Sequence, residues 1–378
     1  MHIEQKIWKD NVWKGISTDT WFLKENVSLI LVFLGVENVH NTSILAEIRE
    51  QYPRGDIIFA STAGEILDNA VYDNSVTLNA IAFERASSMT AVGNITHSGE
   101  SAIIGENLAK SLKKEGLKHI LVFADGIHIN GTPLIQWIKK GVDKNVTISG
   151  GLAADAGKFE QTYIALNSMP DAVSRVILVG LYGDISVWLG SIGWWDAYGE
   201  EMIVTKSSAN VVYELNHKPI LDLYKSYLWD KSADLPSSGL LFPLSIIGTD
   251  DNDVVRTLLS IDEVHKSITF AWDIPEGSEV RLMKANFDKI IDAAGDAAND
   301  ALSVVKNPEF ALLISCVWRK LILKDDTARE VQSVQKICGP SCKIAGFYSN
   351  GEIGKKSSIL LDCELHNQTM TVTLFSEK

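Results

Sequence analysis

Two short stretches, far apart in the chain, each join hydroxyl groups to a glycine and a carboxylate: Ser61-Thr62-Ala63-Gly64-Glu65-Ile66 and Tyr348-Ser349-Asn350-Gly351-Glu352-Ile353. Ser61, Thr62, Ser349 and Asn350 offer hydrogen bonds, Gly64 and Gly351 let the backbone turn sharply, and Glu65 and Glu352 supply negative charge. Such a set suits recognition of the amine or polar edge of a small ligand. It equally suits a turn whose carboxylate caps backbone amides, and both readings stand at this point. A looser analogue lies between them, Gly150-Gly151-Leu152-Ala153-Ala154-Asp155. Its glycines permit close backbone approach and Asp155 adds a charge. No Lys-Ser/Thr pair follows the glycines, so this is not a phosphate-cradling P-loop.

Asp125 and His128 could act as an acid–base pair, although an aspartate at a strand-to-helix turn is more often a cap. With Asp155 they form the only candidate catalytic group. The chain lacks a Gly-x-Ser-x-Gly elbow, a His-Glu-x-x-His metal motif and a dinucleotide fingerprint. Binding without turnover is therefore expected, and no enzyme activity.

These residues must be positioned by the elements around them. Each glutamate stretch closes an apolar run, Asp56 to Phe59 and Lys343 to Phe347, preceded by a helix-like segment and an earlier apolar run. The pattern predicts strands at Val27 to Gly35, His119 to Asp125 and Phe310 to Trp318. Helices follow at Ile44 to Tyr52, Pro133 to Val142 and Thr327 to Ile337, and a further strand after each: Val76 to Phe83, Arg175 to Leu181, Thr369 to Phe375. Continuous apolar runs imply strands buried on both faces, and alternation with helices implies crossover connections. The carboxyl ends of such strands are where open α/β sheets hold ligands. The expected fold is α/β: repeated strand–helix–strand units forming mixed sheets. Residues 186–305 form an antiparallel-rich segment in the middle, with short strands at Ser186 to Leu189, Met202 to Thr205 and Val211 to Leu215. Within it, Lys231 to Gly239 reads as a domain boundary or an exposed excursion, and Asn286 to Val305 as a helix.

The 378 residues allow two domains with proper cores, and 46% hydrophobic with 22% charged residues is ordinary for a globular chain. No apolar run approaches the roughly 20 residues needed to span a bilayer. The first residues lack the apolar core of a signal peptide, so a cytoplasmic location is expected. A net charge of −13 without clustered Lys and Arg argues against nucleic acid and against anionic membranes as partners. The four cysteines are Cys316, Cys338, Cys342 and Cys363. Cys338 and Cys342 are spaced for a zinc or thiol-redox site, but the chain lacks the second close-spaced couple of a zinc knuckle; buried free thiols are the plainer reading. Trp194 and Trp195 are candidates either for an exposed partner surface or for the core.

The chain resembles the FIST-domain family, bacterial sensory modules with an N-terminal and a C-terminal part. The likeness rests on Ser61 to Ile66, Phe123 to Gly126, Ile148 to Asp155, Val204 to Lys206, Val212 to Leu215, Val255 to Asp262, Ile274 to Gly277, Ala345 to Ile353 and Glu364 to Asn367, all in order. One departure is that the family often has a Gly-Cys pair where this chain has Phe59-Ala60, so no thiol acts there. The resemblance implies an N-terminal domain over 1–220 and a C-terminal domain over 221–378. It implies a stand-alone sensor that binds a small molecule, an amino acid or similar, and relays its state to a signalling partner such as a histidine kinase. An alternative implied by one branch of the family is a haem-based nitric oxide sensor acting on a histidine kinase or a cyclic-di-GMP pathway. His366 would then be the metal ligand, against its plainer role as a turn histidine.

Overall fold

The computed structural model describes residues 1–192, 195–248, 253–355 and 363–377. The chain forms two compact units. The first comprises Met1–Ile192, Ile291–Leu365 and Thr369–Lys378, and the second Gly193–Ile290 with His366–Gln368. In sequence these spatial units are interleaved, whereas a division at residue 220 is a single cut.

The first unit contains the three strand–helix–strand repeats, each in its own six-stranded sheet. In the first sheet Leu29–Gly35 and Asp56–Thr62 run parallel, joined through the helix Ser43–Gln51. In the second, Leu117–Ala124 and Thr147–Leu152 run parallel through Gly131–Gly141. In the third, Phe310–Cys316 and Lys343–Ser349 do so through Thr327–Cys338. A return strand lies antiparallel on the first member of each pair: Val76–Ala82, Arg175–Gly183 and Met370–Ser376. The strands and helices expected from periodicity are thus present, with ends shifted by a few residues.

The sheets exchange edge strands in a ring. Glu65–Leu67 leaves the first sheet and pairs with Lys343–Ser349 of the third. Gly351–Lys355 leaves the third and pairs with Thr147–Leu152 of the second. Ile164–Leu166 leaves the second and pairs with Asp56–Thr62 of the first. Each exchange covers an edge that would otherwise expose unpaired amides and carbonyls. Inside the ring, Phe33, Phe123 and Phe347, one from each sheet, are fully buried. Their ring centroids lie 6.2 Å (Phe33–Phe123), 4.9 Å (Phe33–Phe347) and 6.4 Å (Phe123–Phe347) apart. Those separations fall in or near the range of favourable aromatic pairs.

The second unit is antiparallel. Trp195–Ser208 pairs with Val211–Leu215 on one side and Glu279–Ala285 on the other. The helix Ile220–Leu228 buries Ile220, Leu221, Tyr224 and Leu228 in its core. One expectation is corrected. Ser186–Ile192 belongs to the first unit, pairing with Met370–Ser376, because its apolar residues fit the open edge of that sheet. Of the two readings of Lys231 to Gly239, the exposed excursion fits: the stretch lies inside the second unit as largely exposed 3-10 turns. Gly193 and Trp194 lie outside the described residues, and Trp195 is half-buried at the start of its strand.

Candidate functional site

The strand ends that carry the two glutamates are built alike. Thr62 closes its strand and its hydroxyl donates to Glu65 Oε1 at 2.5 Å while accepting the Gly64 amide at 3.1 Å. The Ser75 amide and hydroxyl donate to Glu65 Oε2 at 3.0 and 2.7 Å. In the other copy the Ser349 hydroxyl donates to Glu352 Oε1 at 2.8 Å. The Thr369 amide and hydroxyl both donate to Glu352 Oε2 at 3.1 Å. One oxygen thus takes the hydroxyl three residues upstream, and the other takes the residue immediately before the return strand.

Both carboxylates have 0% exposure. Of the two readings left open for Glu65 and Glu352, this enclosure matches the capping one rather than a carboxylate facing a ligand. The residues after each glycine enter a neighbouring sheet as its edge strand, and this draws the carboxylate inward between layers. Burial pushes the Glu65 carboxyl up to about 7 and the Glu352 carboxyl up to about 8, against the opposing pull of the hydroxyl and amide donors. Gly64 has φ +143°, and a Cβ there would lie 2.4 Å from Lys320 Nζ. That ammonium donates to the Ala63 carbonyl at 2.8 Å and pairs with Asp73.

Ser61 and the middle loop are also mutually engaged. The Ser61 hydroxyl donates to the Ala154 carbonyl at 2.8 Å and accepts the Tyr163 amide at 2.9 Å. Gly150 has φ +152°, and a Cβ there would sit 2.0 Å from the Val122 carbonyl oxygen; one on Gly151 would meet Ile314 at 2.6 Å. These glycines serve strand-to-strand packing. Asp155 accepts the amides of Phe159, Glu160 and Gln161 at 2.8, 2.6 and 3.1 Å.

Asp125 accepts the amides of Ile127 and His128 on Oδ1 at 2.8 and 2.6 Å and the Thr162 hydroxyl on Oδ2 at 3.0 Å. His128 Nδ1 lies 3.3 Å from Asp125 Oδ1 and 3.2 Å from the Ser174 hydroxyl. Asp125 and His128 thus meet, while Asp155 is turned to its own loop, so the three-membered acid–base group is not assembled.

Asn350 differs from its neighbours. It is 7% exposed, and its backbone amide donates to the Leu152 carbonyl at 3.3 Å. A Cβ on Gly126 would lie 3.0 Å from its Nδ2, so its side chain sits against the Asp125–Gly126 turn. Neither Oδ1 nor Nδ2 has a hydrogen-bond partner among the described residues. Buried amides without partners are rare in folded proteins and call for an explanation.

A buried network went unforeseen. Arg319 donates from Nε and Nη2 to Glu330 Oε2 at 3.0 and 2.8 Å. The Tyr348 and Ser315 hydroxyls donate to Glu330 Oε1 at 2.5 and 3.2 Å. All four residues have 0% exposure. The network holds Tyr348, immediately before Ser349 and Asn350, in place. Charged residues on amphipathic helices read as solvent-facing, so the sequence carried no signal for it. His366 is buried to 7%, and no group of three or more His, Cys, Asp or Glu placed to hold a metal occurs among the described residues.

Comparison with known families agrees with this architecture. The FIST N domain matches residues 28–218 and the FIST C domain matches residues 221–355. The chain belongs to the FIST family, whose domains are sensory domains of signal transduction that bind small ligands. It is also similar to an uncharacterized protein of Methanocaldococcus jannaschii, 25% identical over 214 residues that cover 51% of this chain and 39% of that protein. The chain thus spans well under two thirds of that relative's length. No helix among the described residues is long and apolar enough to cross a membrane.

Proposed function

We propose that this chain is a cytoplasmic sensor that binds a small polar ligand, an amino acid or similar, at the strand-end loops around Asn350. In this reading it passes the ligand's state to a signalling partner such as a histidine kinase, without turnover of its own. The observation that carries this is the Asn350 amide, buried against the Asp125–Gly126 turn with donor and acceptor both unpartnered. A carboxamide offers one acceptor and two donors, which complements a ligand carrying an ammonium and a carboxylate. His128, with its side chain 43% exposed beside Asp125, stands at the same turn. Ser61, Thr62, Gly64, Glu65, Gly150, Gly151, Asp155, Ser349, Gly351 and Glu352 form the frame that holds these loops, and Asp125 and Asn350 take the ligand.

The frame also offers a route for the signal. Asn350 directly precedes Gly351–Lys355, which pairs with the second sheet, so a ligand that favours one position of Asn350 favours one register of that strand. Ligand shifts such an equilibrium only by its difference in affinity for the two states. The haem alternative draws no support from these residues, since His366 is enclosed.

A thermal-shift panel of the twenty amino acids tests the reading. Ligand at 100 times its Kd stabilises a protein by about 2.7 kcal/mol, a readily measured rise in Tm. The expected result is a rise with at least one amino acid that is lost in Asn350→Ala. An unchanged rise in Asn350→Ala would remove Asn350 from the site, and no rise with any amino acid would remove that ligand class.

A further inference from the structure

Cys338 and Cys342 stand apart from the residues used so far. The helix Thr327–Cys338 ends at Cys338, and Gly339 takes φ +86°, a conformation suited to glycine. The Cys342 amide donates to the Gly339 carbonyl at 3.3 Å, closing a turn over Pro340 and Ser341. Gln335 Nε2 locks it, donating to the Gly339 carbonyl at 2.6 Å and the Cys342 carbonyl at 3.4 Å. The turn folds Cys342 back onto the helix end, and both cysteines lie in the same core cluster.

Their surroundings are unequal. Cys338 borders a cavity of about 440 Å³ together with Ser341, Asp19, Trp21, Lys306 and Glu309. Cys342 is 2% exposed and packs among apolar residues behind it. Contact with the Cys342 thiol holds the Cys338 thiol below its ordinary range, and the same contact with burial pushes Cys342 up. A nucleophile at the cavity wall, itself 8% exposed, with a partner sheltered behind it is the arrangement of a dithiol that reacts in two steps.

We propose that Cys338 and Cys342 form a hydroperoxide-responsive dithiol. In the first step the Cys338 thiolate attacks one oxygen of the hydroperoxide; the O–O bond breaks, an alcohol or water leaves with a proton, and Cys338 becomes a sulfenic acid. In the second, the Cys342 sulfur attacks the Cys338 sulfur; the S–O bond breaks, the S–S bond forms, and water leaves with the thiol proton. The two thiols lose two electrons and two protons, and the hydroperoxide is reduced to alcohol and water. The cavity carries Asp19, Glu84 and Glu309 against Lys306, His2 and the Met1 ammonium, which pairs with Glu84 and Glu309, so its charges are largely balanced and a small uncharged oxidant meets no electrostatic barrier. The disulfide ties the helix end to the start of Lys343–Ser349, the strand that leads to Asn350.

The test is treatment of the reduced full-length chain with hydrogen peroxide, read by intact mass and peptide mapping. The expected result is a loss of about 2 Da, reversed by dithiothreitol, in a peptide joining Cys338 to Cys342. Cys342→Ser should stop at a Cys338 sulfenic acid trapped by dimedone, and Cys363→Ser should behave as the unaltered chain. Peroxide that leaves both thiols free in the unaltered chain, or a mass loss that persists in Cys338→Ser, would overturn the proposal. The mapping on unaltered protein decides the matter even where a variant does not fold.

Discussion

Glu65 and Glu352 occupy equivalent places in two different sheets and accept the same set of donors: an upstream hydroxyl on one oxygen, and the amide and hydroxyl of a single residue on the other. The likeness extends to environment, since burial raises both carboxyls, to about 7 and about 8. Two turns alike to this degree, each launching a strand into a neighbouring sheet, are parts of one repeated device. Its role is to lock the ring of exchanged strands.

That role has a pH signature. A carboxyl raised in the folded state binds its proton more tightly there than in the unfolded chain, whose value is near 4.5. Between those values the native state holds more protons, so stability is full below about pH 4.5 and falls as pH rises towards about 8. The loss from these two groups together should be on the order of 8 kcal/mol at the top of that window. Urea titrations of the unaltered chain and of Glu65→Gln/Glu352→Gln from pH 4.5 to 9 check this. The difference between the two proteins should change with pH over that window and level off above it. A constant difference would contradict buried, proton-retaining carboxyls.

Glycine substitutions separate two kinds of crowding. Gly150→Ala would place a Cβ 2.0 Å from a backbone carbonyl that cannot yield, whereas Gly64→Ala meets the far end of the flexible Lys320 side chain. Both also carry a positive-φ penalty, of order 1 kcal/mol. Gly150→Ala should therefore be the costlier by more than about 1 kcal/mol, and adding Lys320→Ala should recover only part of the loss in Gly64→Ala. Chemical denaturation of the three variants provides the comparison.

Glu330 neutralises Arg319 where neither is exposed. Removing one member of a buried pair leaves an uncompensated charge and costs about 3–5 kcal/mol. Glu330→Ala should lose that amount, while the joint change Arg319→Met/Glu330→Leu should recover much of it. A loss under 1 kcal/mol in Glu330→Ala would show that the pair is solvated.

The three repeats were legible because strands buried on both faces leave long apolar runs and their helices keep a helical period, as Leu29–Gly35 and Thr327–Cys338 do. The exchange of edge strands was not legible. Glu65–Leu67 and Gly351–Lys355 are too short to reveal a partner, and nothing local says which sheet they join. The same blindness left both readings of Glu65 open: a glycine followed by a carboxylate marks a turn, but the sheet that covers the turn comes from elsewhere in the chain. Of the site, the sequence singled out Asp125 and Asn350, and did not distinguish the unpartnered Asn350 amide from the satisfied hydroxyls of Ser61, Thr62 and Ser349. That difference is a property of packing among distant loops.

The central claim, ligand held at Asn350, is tested most directly by backbone amide NMR on the full chain titrated with the amino acid that stabilises it most. The account predicts the largest shift changes at Gly126, Ile127, His128, Asn350 and Gly351, saturating together and absent in Asn350→Ala. Shift changes confined to residues 195–248 and 253–285, with those five amides unmoved, would contradict it.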